Sequence, residues 1–124
     1  MRKPIVALIY DFDGTLSPGN MQEFGFIQAV DSTPEEFWRM SDSIAIGYDA
    51  SNVLAYMKLM FDEARSNGIK LRREDFRAFG KHIKLYDGVR QWFSMVNEYG
   101  NRHGVVCHPL NIGNGIQQGV QNTV

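Results

Sequence analysis

A chain of 124 residues with 44% apolar and 22% charged side chains is long enough to bury one core, or one core with a small insertion, and its composition excludes a disordered or fibrous class. Thirteen lysines and arginines against fourteen aspartates and glutamates leave a formal charge of −1. That is no basic surplus for a nucleic-acid backbone, so no nucleic-acid partner is expected and any phosphate ligand should be small. One cysteine, Cys107, excludes an internal disulfide, and the short apolar run before Asp11 is too brief for a signal or membrane-spanning segment, which makes the cytoplasm the expected location, with no membrane partner.

Ile-Val-Ala-Leu-Ile-Tyr at positions 5–10 is continuously apolar and rich in β-branched residues. It reads as a strand covered on both faces in a parallel sheet. A short buried helix is the alternative, and Pro4 before the run and Gly14 after it leave little room for one. The acidic cluster that follows then sits at a strand's carboxyl end, where open α/β sheets bind ligands.

From 19 to about 85 the pattern turns helical. Thr33-Pro34-Glu35-Glu36 combines an N-cap, a proline at the first helical position and a capping-box glutamate, so a helix starts at Pro34 and carries Phe37 and Trp38 inward. Val53, Met57, Met60, Phe61 and Ala64 form one helical stripe that Gly68 can terminate, and Phe76, Phe79 and Ile83 form a shorter one. Helical spacing makes these apolar residues core first and pocket lining second. Asp87-Gly88 opens a further helix with Val89, Trp92, Phe93 and Val96 on one face and Gly100 as its stop. Val105-Val106-Cys107 begins a second strand. Beyond it, from His108, a proline and two glycines predict a loop, and 117–124 has no sustained period, reading as loop, disorder or a frayed helix from Gly115.

The sharpest signal is Asp11-Phe12-Asp13-Gly14-Thr15 directly after the first strand. A calcium loop would close with a glutamate twelve residues from its first aspartate, but Gln22 or Phe24 stands there. A solvated acid pair in a turn is the plain alternative. One chemistry that two acids so spaced can serve is phosphoryl transfer. Asp11 can attack phosphorus to form an aspartyl-phosphate, and Asp13 can protonate the leaving oxygen and later deprotonate water. Gly14 allows a sharp turn whose exposed amides meet phosphoryl oxygens as a nest, and Thr15 pins the loop.

These five residues resemble the first motif of the haloacid dehalogenase (HAD) superfamily of phosphohydrolases. The resemblance implies Mg2+ held through Asp11 and Asp13, a small phosphorylated substrate, and a helical cap over the site. It implies an α/β fold: a partial HAD-like Rossmann-type core from 1–18 and 86–124, with the first strand and the start of a second, and a helical cap from 19–85. Tyr86-Asp87-Gly88-Val89 is similar to the family's return segment, with Asp87 in place of a proline. Three further motifs have no counterpart. No Ser or Thr occurs between Ser94 and Thr123, Gly113 or Asn114 standing where one is expected; the last basic residue is Arg102; and nothing after Glu98 is acidic. The expectation is a truncated, inactive N-terminal portion of such an enzyme. The alternatives are a non-catalytic binding or assembly module that associates through an exposed sheet edge, itself included, and a response-regulator-like phosphoacceptor, which lacks a helical insertion. His82 reads as a partner of a helix dipole, and His103, Cys107 and His108 lack the fourth ligand and spacing of a zinc site.

Overall fold

A computed structural model describes residues 2–111 of the chain. In order it has strand β1 (Ile5–Tyr10), a 3-10 turn (Met21–Glu23), helices α1 (Phe26–Ala29), α2 (Pro34–Tyr48), α3 (Asn52–Ser66), α4 (Arg73–Gly80) and α5 (Val89–Arg102), and strand β2 (Val106–Asn111). The class is α/β. The two strands pair in parallel, Ile5 opposite Val106 through Tyr10 opposite Asn111, so the whole helical segment is a crossover between adjacent strands.

The second strand corrects the loop expected from His108, because it runs through Pro109 to Asn111. The reason lies in which way the backbone faces. The Val106 N–H donates to the Pro4 carbonyl oxygen at 2.9 Å, and alternation along the strand turns the 108 and 110 amides the same way and position 109 toward the opposite edge. Proline there removes no bond to β1, which is how a strand edge tolerates it. The expected loop and tail from Ile112 onward lie outside the described residues.

Among the described residues β1 is covered on one face, not on the two expected. Val6, Leu8 and Tyr10 turn toward α5, where Tyr10 meets the Phe93 ring edge-on at 5.8 Å and accepts a 2.8 Å hydrogen bond from Trp92 Nε1. Nothing among the described residues covers the opposite face, Ile5, Ala7 and Ile9 beside Leu110, with Ile5 68% and Ile9 56% exposed. A continuous apolar run reports that a strand is suited to two covers, not that this chain supplies both.

Two apolar clusters hold the rest. Phe12, Leu16, Met21 and Ile83 gather with Tyr10, Leu85, Val89 and Phe93 under the strand's end. Phe26, Ile27, Val30, Phe37, Leu59, Met60 and Ala64 form the centre of the helical segment, with Trp38, Phe76 and Phe79 against it. Helix α2 starts at Pro34 behind the reciprocal Thr33 and Glu36 capping box. The face of α3 is rotated from the expected stripe: Ala55, Leu59, Met60 and Ala64 are buried, whereas Met57 and Phe61 are more than half exposed. Small Ala55 and Ala64 allow the close approach to the neighbouring helices that Met57 and Phe61 would block.

Gly100 is likewise not the stop of α5, which continues to Arg102 ahead of Gly104 in the left-handed region (φ 72°). A Cβ at 100 would lie 2.7 Å from Cys107 Sγ and 3.1 Å from the Val105 carbonyl oxygen. Glycine there lets the helix back touch the incoming strand. No helix among the described residues is long and apolar enough to cross a membrane.

Candidate active site

Beyond β1 the chain plunges inward at Phe12, whose side chain is fully buried, and then folds back on itself. The Phe12 carbonyl oxygen accepts from the N–H groups of Thr15, Leu16 and Ser17 at 2.9 to 3.1 Å, and Gly14 N–H donates to the Ser17 carbonyl at 2.8 Å. Gly14 takes φ 77°, the left-handed conformation that glycine adopts without a Cβ penalty. The loop is therefore rigid, and Asp11 and Asp13 flank its buried anchor at the carboxyl end of β1. Asp11 is exposed and Asp13 half-buried.

One expectation for this loop needs correction. The amides from Gly14 to Ser17 close the turn and are not available as an anion nest; Thr15 helps to pin the loop through its N–H, which donates to the Phe12 carbonyl oxygen, while its side chain is exposed. The backbone N–H of Asp13 has no acceptor among the described residues. The Ser17 hydroxyl is buried without a hydrogen-bond partner.

Asp13 is built in from the helical side. The Met21 N–H donates to Asp13 Oδ1 at 3.0 Å. Burial raises the Asp13 pKa above 3.8; the Met21 bond works against that shift, and the charges of Asp11 and Glu23 add to it. Glu23 is fixed in turn, because its Oε1 accepts from Trp38 Nε1 and from Asn20 Nδ2, each at 2.8 Å. Trp38 packs edge-on against Tyr56 of α3, ring centroids 6.0 Å apart. Burial, and secondarily the Asp13 charge, hold the Tyr56 phenol above its ordinary pKa, so it stays a neutral hydroxyl.

The structure thus brings Asp11, Asp13, Gly14 and Thr15 into one loop and adds Glu23, Trp38 and Tyr56, which sequence reasoning did not assign to the site. Trp38 stood out only as a core residue, and nothing in the local pattern marks Tyr56 as a neighbour of Asp13. The Asp11 carboxylate and the Asp13 main-chain carbonyl are the oxygen donors this loop offers a hard cation such as Mg2+, which takes one or two carboxylates and fills its octahedron with waters and phosphate oxygens. Among the described residues no group of three or more His, Cys, Asp and Glu side chains is gathered for a metal, which also leaves His103, Cys107 and His108 ungrouped. His103 instead stacks on Tyr99, centroids 4.2 Å apart. At the carboxyl end of β2 the polar side chain nearest in register to this loop is Asn111, opposite Tyr10.

No protein-family model matches the chain, and no solved structure matches it significantly. An uncharacterised protein of Borreliella burgdorferi is 31% identical over 105 residues, which cover 78% of this chain and 36% of that protein. The chain spans little more than a third of the length of this relative.

Proposed function

We propose that the chain carries the nucleophile loop and cap of a Mg2+-dependent phosphohydrolase of the HAD type, acting on a small phosphorylated metabolite through an aspartyl-phosphate. The observation that carries this reading is the pairing of unlike carboxylates at the end of β1: exposed Asp11, and Asp13 with a raised pKa and a fixed Oδ1. A general acid must be able to hold a proton, and burial that favours the protonated form suits Asp13 to that role, leaving the exposed Asp11 as the nucleophile.

In the first displacement an Asp11 carboxylate oxygen bonds to phosphorus as the bond from phosphorus to the ester oxygen breaks, and Asp13 gives its proton to the leaving alkoxide. In the second, Asp13 takes a proton from water, the water oxygen bonds to phosphorus, and the bond to Asp11 breaks, releasing phosphate. Mg2+ would be held by the Asp11 carboxylate and the Asp13 main-chain carbonyl, leaving the Asp13 carboxyl free for proton transfer, and would offset the charge of nucleophile and phosphate together. The Asp13 N–H would donate to a phosphoryl oxygen, and Glu23 and Tyr56, both within electrostatic reach of Asp13, would border the leaving group from the helical side. Titration of the chain with Mg2+ and beryllofluoride, an aspartyl-phosphate mimic, tests the proposal by NMR. Amides of 11–15 should shift only with both present, and not in Asp11→Asn; an unresponsive wild-type loop overturns it.

A second reading, an assembly module, is favoured by the bare face of Ile5, Ile9 and Leu110 and by the odd-numbered amides of β1, which point away from β2. It expects another chain, or a second copy, to supply a strand and its cover.

A further inference from the structure

Between the two apolar clusters lies a cavity lined by Met21, Gln22, Phe26, Met60, Phe79 and Ile83. It is partly open, about 350 Å³ when counted to its mouth. Its tight inner part measures about 30 Å³ on the scale where one water needs roughly 10–15 Å³. Such a space takes a few carbon atoms, not a sugar or nucleobase.

The lining is apolar with one exception. Gln22 is 5% exposed, and its Oε1 is buried with no hydrogen-bond partner. An orphaned buried carbonyl oxygen costs free energy that a packed core has no reason to retain, and a water there would find too few polar partners to be held well. The group that satisfies Gln22 Oε1 is a hydrogen-bond donor, and on a short aliphatic ligand the neutral oxygen donor is a hydroxyl.

The cavity is joined to the acid pair by two elements. Met21 lines it with its side chain while its N–H holds Asp13 Oδ1. On α3, Met60 lines it one turn beyond Tyr56, whose phenol feels the Asp13 charge.

We infer that this cavity receives the far end of the leaving group, a short aliphatic chain bearing a hydroxyl that hydrogen-bonds Gln22, so that the substrate class is a phosphomonoester of a small diol. The inference rests on the phosphohydrolase reading for the phosphate but not for the pocket. The experiment is chosen to separate them. Purified chain with labelled methionine and isoleucine methyl groups is titrated with 1-propanol and, in parallel, with 1-chloropropane, a probe of similar size without the hydroxyl. Methyl signals of Met21, Met60 and Ile83 should shift with both, propanol binding more tightly by about five- to tenfold, the usual worth of one hydrogen bond.

Gln22→Met keeps length and removes the amide, so it should fold at least as stably, retain the chloropropane shifts and erase the preference for propanol. If neither probe moves these methyls, the cavity is a packing void or a water site and the inference fails. Equal affinities in the wild type, or a preference unchanged in Gln22→Met, also overturn it. Mg2+ and beryllofluoride shifts at 11–15 report on the phosphate loop independently. A responsive loop with a silent cavity sinks only the diol inference, and the reverse sinks only the phosphohydrolase reading.

Discussion

Substituting Gly100 by alanine sets two known effects against each other. In a free helix interior the change stabilises by about 0.5–1 kcal/mol, because alanine loses less backbone entropy. Here the new Cβ would sit 2.7 Å from Cys107 Sγ and 3.1 Å from the Val105 carbonyl oxygen, the first closer than a carbon and a sulfur can approach. Helix and strand must separate by several tenths of an ångström, and overpacking of this kind costs roughly 1–3 kcal/mol. The net expectation for Gly100→Ala is a loss of about 1 kcal/mol, seen as a lower urea midpoint with unchanged slope. Cys107→Ala removes the sulfur, so the double variant should be more stable than the sum of the two single effects by about 1 kcal/mol. If Gly100→Ala alone raised the midpoint, or the two substitutions were additive, the close approach of α5 to β2 would be refuted.

Asp13 should leave a pH signature. Its pKa in the folded chain is raised above 3.8, so its contribution to stability is fully present below the unfolded value and is lost as pH rises through the folded one. Asp13→Asn keeps an acceptor for the Met21 N–H and should therefore gain on the wild type, by less than about 1 kcal/mol, as pH climbs from 3 toward 7 in thermal melts; a gap that narrows over that range would contradict the burial of Asp13. Glu23→Gln should lower the Asp13 titration midpoint followed by carboxyl carbon NMR, since one of the charges raising it is gone. This chain alone should hydrolyse an aryl phosphate with Mg2+ barely above background. It lacks a Ser or Thr, a cation and a further acid after Asn111 until Thr123, and the loss of a single preorganised donor costs about a hundred- to thousand-fold. Robust turnover abolished by Asp11→Asn would show that groups in 107–124, or from a second copy, complete the site. Ile9→Lys on the bare sheet face should reduce self-association in sedimentation at high concentration without lowering the melting temperature; a large loss of stability would mean that face is covered within the chain.

Local rules carried a good part of the architecture. The β-branched run at 5–10, the Thr33 to Glu36 box and the Gly68 and Gly88 turns each act within one turn or one strand, and the chain obeys them: strand β1, the start of α2, the end of α3 and the start of α5 stand where those signals put them. The same holds for the acid pair, whose two carboxyls lie in one loop because only one residue separates them. Long-range packing decided the rest. Whether Met57 or Leu59 turns inward depends on which helix lies beside α3, Gly100 has its purpose only once Cys107 arrives against it, and Pro109 is acceptable in β2 only because β1 took the other edge. The Asp13 pKa is raised by burial under the 3-10 turn, with the Glu23 charge adding to it, and these groups lie eight and ten residues further along the chain. Periodicity records what each segment could bury; contact between distant segments chooses what it does bury, and with that the chemistry of the site.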